Sequence, residues 1–161
     1  MGRVSENEIR LHLIQHLLIV RIARRITIPR SCPELNHLGL TRGLLPEMDL
    51  TIEEDDTRIG GLMSEETGLA ACRSMAGGVV FQVNEYLMHG FKILGSIGIN
   101  TSPTCGVERH WAEGGYRDGP GVFTRILIEE LNNKGISVKM RGVNAKKPEK
   151  AVKTVEALLN G

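Results

Sequence analysis

From Phe91 to Asn100 the chain reads Phe-Lys-Ile-Leu-Gly-Ser-Ile-Gly-Ile-Asn, apolar over most of its length. A strand with one wet face alternates apolar and polar residues. This run does not, so it reads as a strand buried on both faces, as in a parallel sheet covered by helices. The flanking sequence supplies those helices. Ser64 to His89 is a long helix, opened by Ser64-Glu65-Glu66 and stopped by Gly90. Gly77-Gly78 in its middle costs helix propensity and points to close packing or a kink. Pro120 to Lys134 is the next helix, with proline in its first turn and Gly135 at its end. Ile136 to Val143 is a further strand. A last helix runs from Lys147 or Pro148 to Leu159, with Val152, Val155, Leu158 and Leu159 on one face. Helix and strand in alternation predict an α/β layered α/β/α domain with a small, mostly parallel sheet. A chain of 161 residues makes one such domain, spanning 1–161.

The N-terminal third is read by the same rules. Ser5 and Glu8 form a capping box for a helix over Ser5 to Arg24. Ile9, Leu13, Leu17 and Val20 mark its apolar stripe, and Ile14, Leu18, Ile19 and Ile22 widen it almost all round. A helix of that kind packs on more than one side or lies at a subunit interface, so a homo-oligomer through it is expected. Ile26 to Arg30 is a strand, with Pro29 placing it at an end or an edge. Ser31 to about Gly61 is a loop whose acidic run, Glu53-Glu54-Asp55-Asp56, reads as solvated surface. Three strands make a thin sheet, so one is missing or is supplied by another chain.

Composition narrows the function classes. Twenty basic side chains face nineteen acidic ones, for a net charge of +1, and 4% of residues are aromatic. Neither a basic face nor a stacking platform for nucleic acid is predicted. Three cysteines without a CxxC pair are not a disulfide framework, a zinc ribbon or a thioredoxin motif. Leu17 to Val20 is too short to span a bilayer, and no secretory signal is visible. A cytoplasmic protein with reduced thiols and no membrane partner is expected.

The chemistry-bearing residues gather behind two strands. Cys32 follows the strand ending near Arg30, and Cys105 follows the one ending near Asn100. Ligands in open α/β sheets bind beyond the carboxyl ends of the strands, so parallel neighbours would bring both thiols to one edge. Ser31-Cys32-Pro33-Glu34 and Ser102-Pro103-Thr104-Cys105-Gly106 are stiffened by proline, and thiolates there are natural ligands for soft metals or iron–sulfur clusters. Each cysteine alone is equally a small buried hydrophobe, the reading that suits mid-helix Cys72. Glu34 is a general acid or base, or a surface carboxylate. Ser102 contacts substrate, or caps the Pro103 turn. His12 and His16 stand four apart on the expected helix, without an evident third ligand. Gly114 to Phe123 ends at a helix start, whose free N–H groups could hold an anion or a polar ring edge, although turn-forming glycine explains the run as well.

Cys32-Pro33-Glu34 with Gly39-Leu40-x-Arg42, Ser102-Pro103-Thr104-Cys105-Gly106-Val107, and Gly119-x-Gly121-Val122-Phe123 together resemble the 2-thiouracil desulfurase (TudS) family, nearest its TudS-related desulfidases. The likeness runs from about Ile28 to Val143. It implies a [4Fe-4S] cluster held by three cysteines, with one iron open to take sulfur from a small thiolated molecule such as a thio-nucleobase. By matching motifs, Cys32 and Cys105 are two cluster ligands, Glu34 is the acid or base near the substrate, and Ser102 is a substrate or supporting contact. The family's first strand and cysteine loop have no counterpart, so the chain is expected to be N-terminally truncated relative to it. Two other classes compete: a cluster-free binding or scaffold protein, and a zinc or redox thiol site completed by His37 or His110.

Overall fold

The computed structural model describes residues 16–21 and 25–29 as backbone, and 33–34, 50–144 and 146–160 in full. Ten elements follow in order: β1 (His16–Arg21), β2 (Arg25–Pro29), α1 (Ile52–Ser64), α2 (Glu66–Met88), β3 (Lys92–Ile99), β4 (Arg109–Ala112), β5 (Gly115–Asp118), α3 (Val122–Asn133), β6 (Met140–Val143) and α4 (Pro148–Asn160). They make the layered α/β fold expected. The main sheet has the order β2-β1-β3-β6, and β4 and β5 form a separate hairpin.

The apolar strand β3 lies inside the sheet, parallel to β6 and antiparallel to β1. It also stands between two apolar layers. Ile93 and Ile99 pack on the larger core, built by Ile59 and Met63 of α1, Cys72, Val79, Val80 and Val83 of α2, and Phe123, Ile126, Leu127 and Leu131 of α3. Ile97 and Leu94 meet Val155, Leu158 and Leu159 of α4 in a smaller core. Coverage on both sides is why this strand could dispense with alternation.

Over His16–Arg21 a strand stands where the N-terminal helix was expected. Residues expected in the helix Ser5–Arg24 include β1, which pairs antiparallel with β2 on one edge and with β3 on the other. His16-Leu17-Leu18-Ile19-Val20-Arg21 has no polar stripe to give a helix a wet side, whereas a strand bonded along both edges has no need of one. The helical His12/His16 pair and oligomer contact lose their basis with it; residues 5–15 and 22–24 lie outside the described residues. The sheet is thus four strands wide, with β3–β6 its parallel pair.

α1 is the other departure, since its residues were read as loop. Thr51 caps it: Glu54 N–H donates to Thr51 Oγ1 (3.2 Å) and Thr51 N–H donates to Glu54 Oε2 (2.8 Å). The acidic run is the first turn of this helix, where carboxylates meet the positive end of its dipole. Its two halves differ. Glu53 and Glu54 are exposed, while Asp55 and Asp56 are buried, Asp55 in an ion pair with Arg58 (2.6 Å). α2 continues unbroken through Gly77 and Gly78, and a Cβ at either would meet nothing within 4 Å among the described residues, so close packing on these does not explain them.

The Thr51–Glu54 cap gives a measurable expectation. Thr51→Ala should lower unfolding stability by about 1 kcal/mol in a denaturant titration. Hydrogen bonds from the Thr51 backbone and then its hydroxyl hold the Glu54 carboxyl below its ordinary pKa. The carboxylate's contribution is therefore full above the ordinary value and fades as pH falls through the lowered one. Thr51→Ala keeps the backbone bond and loses the hydroxyl's, so its gap to wild type should narrow over that acid limb without closing, because the Glu54 N–H cap on Thr51 Oγ1 does not titrate.

Candidate functional site

β2 and β3 each run antiparallel to β1, so they point the same way with β1 between them. Leu17 of β1 pairs with Pro29 on one side and with Ile97 on the other. The chain therefore leaves β2 toward Cys32 and leaves β3 toward Cys105 at the same edge of the sheet, two strand spacings apart rather than as direct neighbours, or about 10 Å.

Beyond β3, residues 100–121 fold back on themselves. Asn100 N–H donates to Val143 O at the end of β6 (2.7 Å). Thr101 turns the chain with φ at 79°, a conformation that strains a β-branched residue. Glu108 holds this turn in place. Its N–H donates to Asn100 Oδ1 (2.9 Å), its Oε2 accepts from Asn100 Nδ2 (3.1 Å), and its Oε1 accepts from Gly142 N–H of β6 (3.3 Å). Ser102 to Gly106 then make a tight turn, in which Cys105 N–H donates to Ser102 Oγ (3.1 Å) and Gly106 N–H to Ser102 O (3.0 Å).

That turn supplies the cap of α3. The helix has no side-chain cap at Gly121. Instead Gly121 N–H donates to Gly106 O (2.9 Å), Val122 N–H to Pro103 O (3.3 Å), and Phe123 and Thr124 N–H to Thr104 O (2.9 and 3.4 Å). The amides expected to be free for an anion are satisfied within the chain. Side chains cannot intrude here: a Cβ on Gly121 would lie 2.7 Å from Thr104 O, and one on Gly106 2.7 Å from Ser102 O.

Cys105 is fully buried on this turn and belongs to the larger core, as does Cys72 on α2. Pro33 and Glu34 are also buried, Glu34 at 1% exposure, while Cys32 lies outside the described residues. The hydroxyls of Thr104, which precedes Cys105 in the chain, and of Thr124, whose N–H donates to Thr104 O, are buried with no hydrogen-bond partner among the described residues. Such a hydroxyl costs roughly 1–3 kcal/mol. Donors without a described partner on this turn and helix start would suit a group rich in sulfide or negative charge. In number the donors fall short: among the described residues no three His, Cys, Asp or Glu side chains gather as a metal site. The corner at Cys105 suits a cluster in kind, and a complete donor set would have to draw on Cys32.

The hairpin β4–β5 is not among the elements expected from the sequence. Ala112 pairs with Gly115, leaving Glu113 and Gly114 as a two-residue turn with φ of 52° and 72°. Both values are positive, as the type I′ turn needs, and Glu-Gly-Gly was its available signal. The hairpin packs on α1: Trp111 Nε1–H donates to Thr57 Oγ1 (2.9 Å), and Thr57 passes its own proton to Glu53 O (2.8 Å). Between hairpin and α1 lies a cleft of about 390 Å³. Asp56, Gly60, Gly61, Pro103, His110 and Trp111 line it, so it borders the Cys105 turn through Pro103 without including Cys105, Ser102 or Glu34. His110 Nδ1 lies 3.0 Å from Gly119 O, which can only accept, so that nitrogen is the donor. His110 belongs to no group of three metal-ligating side chains among the described residues, and His37 lies outside them. No described helix is long and apolar enough to cross a membrane.

No family model matches the chain, and neither the curated proteins nor the solved structures compared with it include a match.

The close approach at Gly106 predicts that Gly106→Ala destabilises the fold by about 1–3 kcal/mol, since backbone rather than a flexible side chain must yield. Urea titration followed by circular dichroism checks it; an unchanged midpoint would mean the turn is looser than its hydrogen bonds imply.

Proposed function

We propose that the protein is a desulfidase that takes sulfur from a small thiolated molecule, of the thio-nucleobase class, at the carboxyl edge of β2 and β3. The observation that carries this reading is the corner at Cys105. A fully buried thiol sits on a turn fixed by Ser102, and the hydroxyls of Thr104 on that turn and Thr124 at the start of α3 have no partner among the described residues. A structural cysteine needs no such donors around it, whereas a bound iron–sulfur group takes hydrogen bonds at its sulfurs.

In this reading Cys32 and Cys105 hold a [4Fe-4S] cluster, which when bound supplies an open iron as Lewis acid toward the substrate's sulfur. The chain's own residues do the rest. Glu34, buried two positions after Cys32, moves a proton to or from the substrate. Ser102 Oγ accepts from Cys105 N–H and so keeps its own hydroxyl proton for a substrate acceptor. The cleft beside Pro103, walled by Trp111, offers a planar ring a place to lie. The exchange is hydrolytic: sulfur leaves as hydrogen sulfide and water oxygen replaces it, with no net oxidation. The scaffold reading has one observation in its favour, the absence of a three-donor group among the described residues.

Anaerobic reconstitution with iron and sulfide, followed by sulfide release from 2-thiouracil, separates the two. The desulfidase reading expects near-stoichiometric iron and a broad charge-transfer band. Cys105→Ser should lose the iron. Glu34→Gln should keep it and lose sulfide release by roughly 10²-fold or more. Wild-type protein that binds no iron would overturn the reading and leave the scaffold.

The hydroxyls give an independent check. Thr124→Val removes a buried hydroxyl with no partner among the described residues, so the iron-free protein should gain about 1 kcal/mol, or roughly 2–4 °C in Tm. Iron retention should fall in the same variant. A rise in Tm with iron retention unchanged would show that the hydroxyl does not serve the cluster.

A further inference from the structure

On the other side of the sheet edge lies a second pocket, between β6 and α4, of about 360 Å³. Its wall carries Lys139, Arg141 and Lys153, with a floor of Ala157 and Leu158. Lys139 and Arg141 are two residues apart at the start of β6, where alternate side chains share a face. Lys153 and Ala157 form one row of α4 and Thr154 and Leu158 the next, so the helix turns both rows toward the strand. All three cations are exposed, and none makes an ion pair among the described residues. Elsewhere Arg58, Arg109, Arg117 and Arg125 each have a carboxylate partner.

Among the described residues the pocket's one carboxylate is Glu108, and it is already engaged. Its oxygens accept from Gly142 N–H and Asn100 Nδ2–H, which fixes it to the backbone of β6 and the turn after β3. Three cations against one carboxylate leave two positive charges in one concavity. The chain as a whole carries +1, so this is a local concentration rather than a general basic character. Like charges held together repel one another unless an anion lies between them.

We infer that this pocket binds a small oxyanion carrying two negative charges, of the phosphate or phosphate-monoester class. The charge left over by the pocket matches such a dianion. The Arg141 guanidinium offers a planar fork for two phosphate oxygens, and each lysine adds a point charge. A monocarboxylate would leave one positive charge unanswered. Nothing in this site involves iron or thiol, so it stands or falls apart from the desulfidase reading.

Calorimetric titration of the full chain with inorganic phosphate, ribose 5-phosphate and acetate, at low ionic strength, tests the assignment. Phosphate should bind, weakening as salt is added, and acetate should bind at least tenfold more weakly. If ribose 5-phosphate binds as well, the source is a phosphorylated metabolite; if it does not, the source is free phosphate. Arg141→Gln and Lys153→Gln should each weaken phosphate by roughly tenfold, with an unchanged Tm because both side chains are exposed. Lys134→Gln, an exposed cation outside the pocket, should bind as wild type does. Absence of phosphate binding, equal affinity for acetate, or binding unmoved by Arg141→Gln and Lys153→Gln would overturn the inference.

Discussion

A helix must find partners for its first backbone N–H groups, and α3 begins on Gly121-Val122-Phe123-Thr124 with no side chain able to supply one. The carbonyls of Pro103, Thr104 and Gly106 meet that demand. The Ser102–Gly106 turn and the start of α3 are consequently one unit. Cys105 is placed by the axis of a helix that packs along α2, not by the loop in which it stands. Glycine at positions 106 and 121 follows from the same contact, because two backbones approach without room for a Cβ. At its other end the connection is tied to β6 through Glu108 and Asn100. Position of the thiol, start of the helix and end of the sheet are thus set together.

That single connection, residues 100–121, borders both candidate sites. Pro103, His110 and Trp111 turn toward α1 and line the cleft there. Glu108 turns toward α4 and completes the cationic pocket. The strained Thr101 lies between these directions, with its N–H donated to Arg109 O (2.9 Å). A conformation that costs energy persists when its surroundings over-determine it, and here bonds from β6, from the hairpin and from Glu108 all converge.

Much of the fold could be read from local signals. β3 showed in its apolar run, α3 in the proline at its start and the glycine that ends it, and α4 in a stripe of which Val155, Leu158 and Leu159 meet the core while Val152 is exposed. What escaped notice depended on partners distant in sequence. Leu17 to Val20 supports helix or strand equally well by composition, and pairing with β3 decides the matter. Asp55 and Asp56 looked like their exposed neighbours, because burial follows from which side of α1 faces the hairpin and core. The Thr51–Glu54 box was a local signal, overlooked beneath the charge run. At the site, Ser102 and Cys105 were legible as a turn, but the capping of α3 by that turn was not, since glycine-rich sequence suggests open amides. The three cations of the β6–α4 pocket lie on two elements and only the packing of helix on strand unites them.

The placement of β1 has a consequence for synthesis. β1 and β2 are adjacent in sequence and can pair as soon as both have left the ribosome, yet β1 takes its second neighbour from Lys92–Ile99. Until that later segment emerges, the apolar strand Leu17–Val20 offers an open edge to any other nascent or unfolded chain. The central pairing of the sheet is also its most non-local one, so its closure is set by chain topology rather than by local propensity. Slow translation between β2 and β3 would lengthen the interval in which this edge is unguarded, and the yield of folded protein would depend on elongation rate and chaperone supply as well as on final stability.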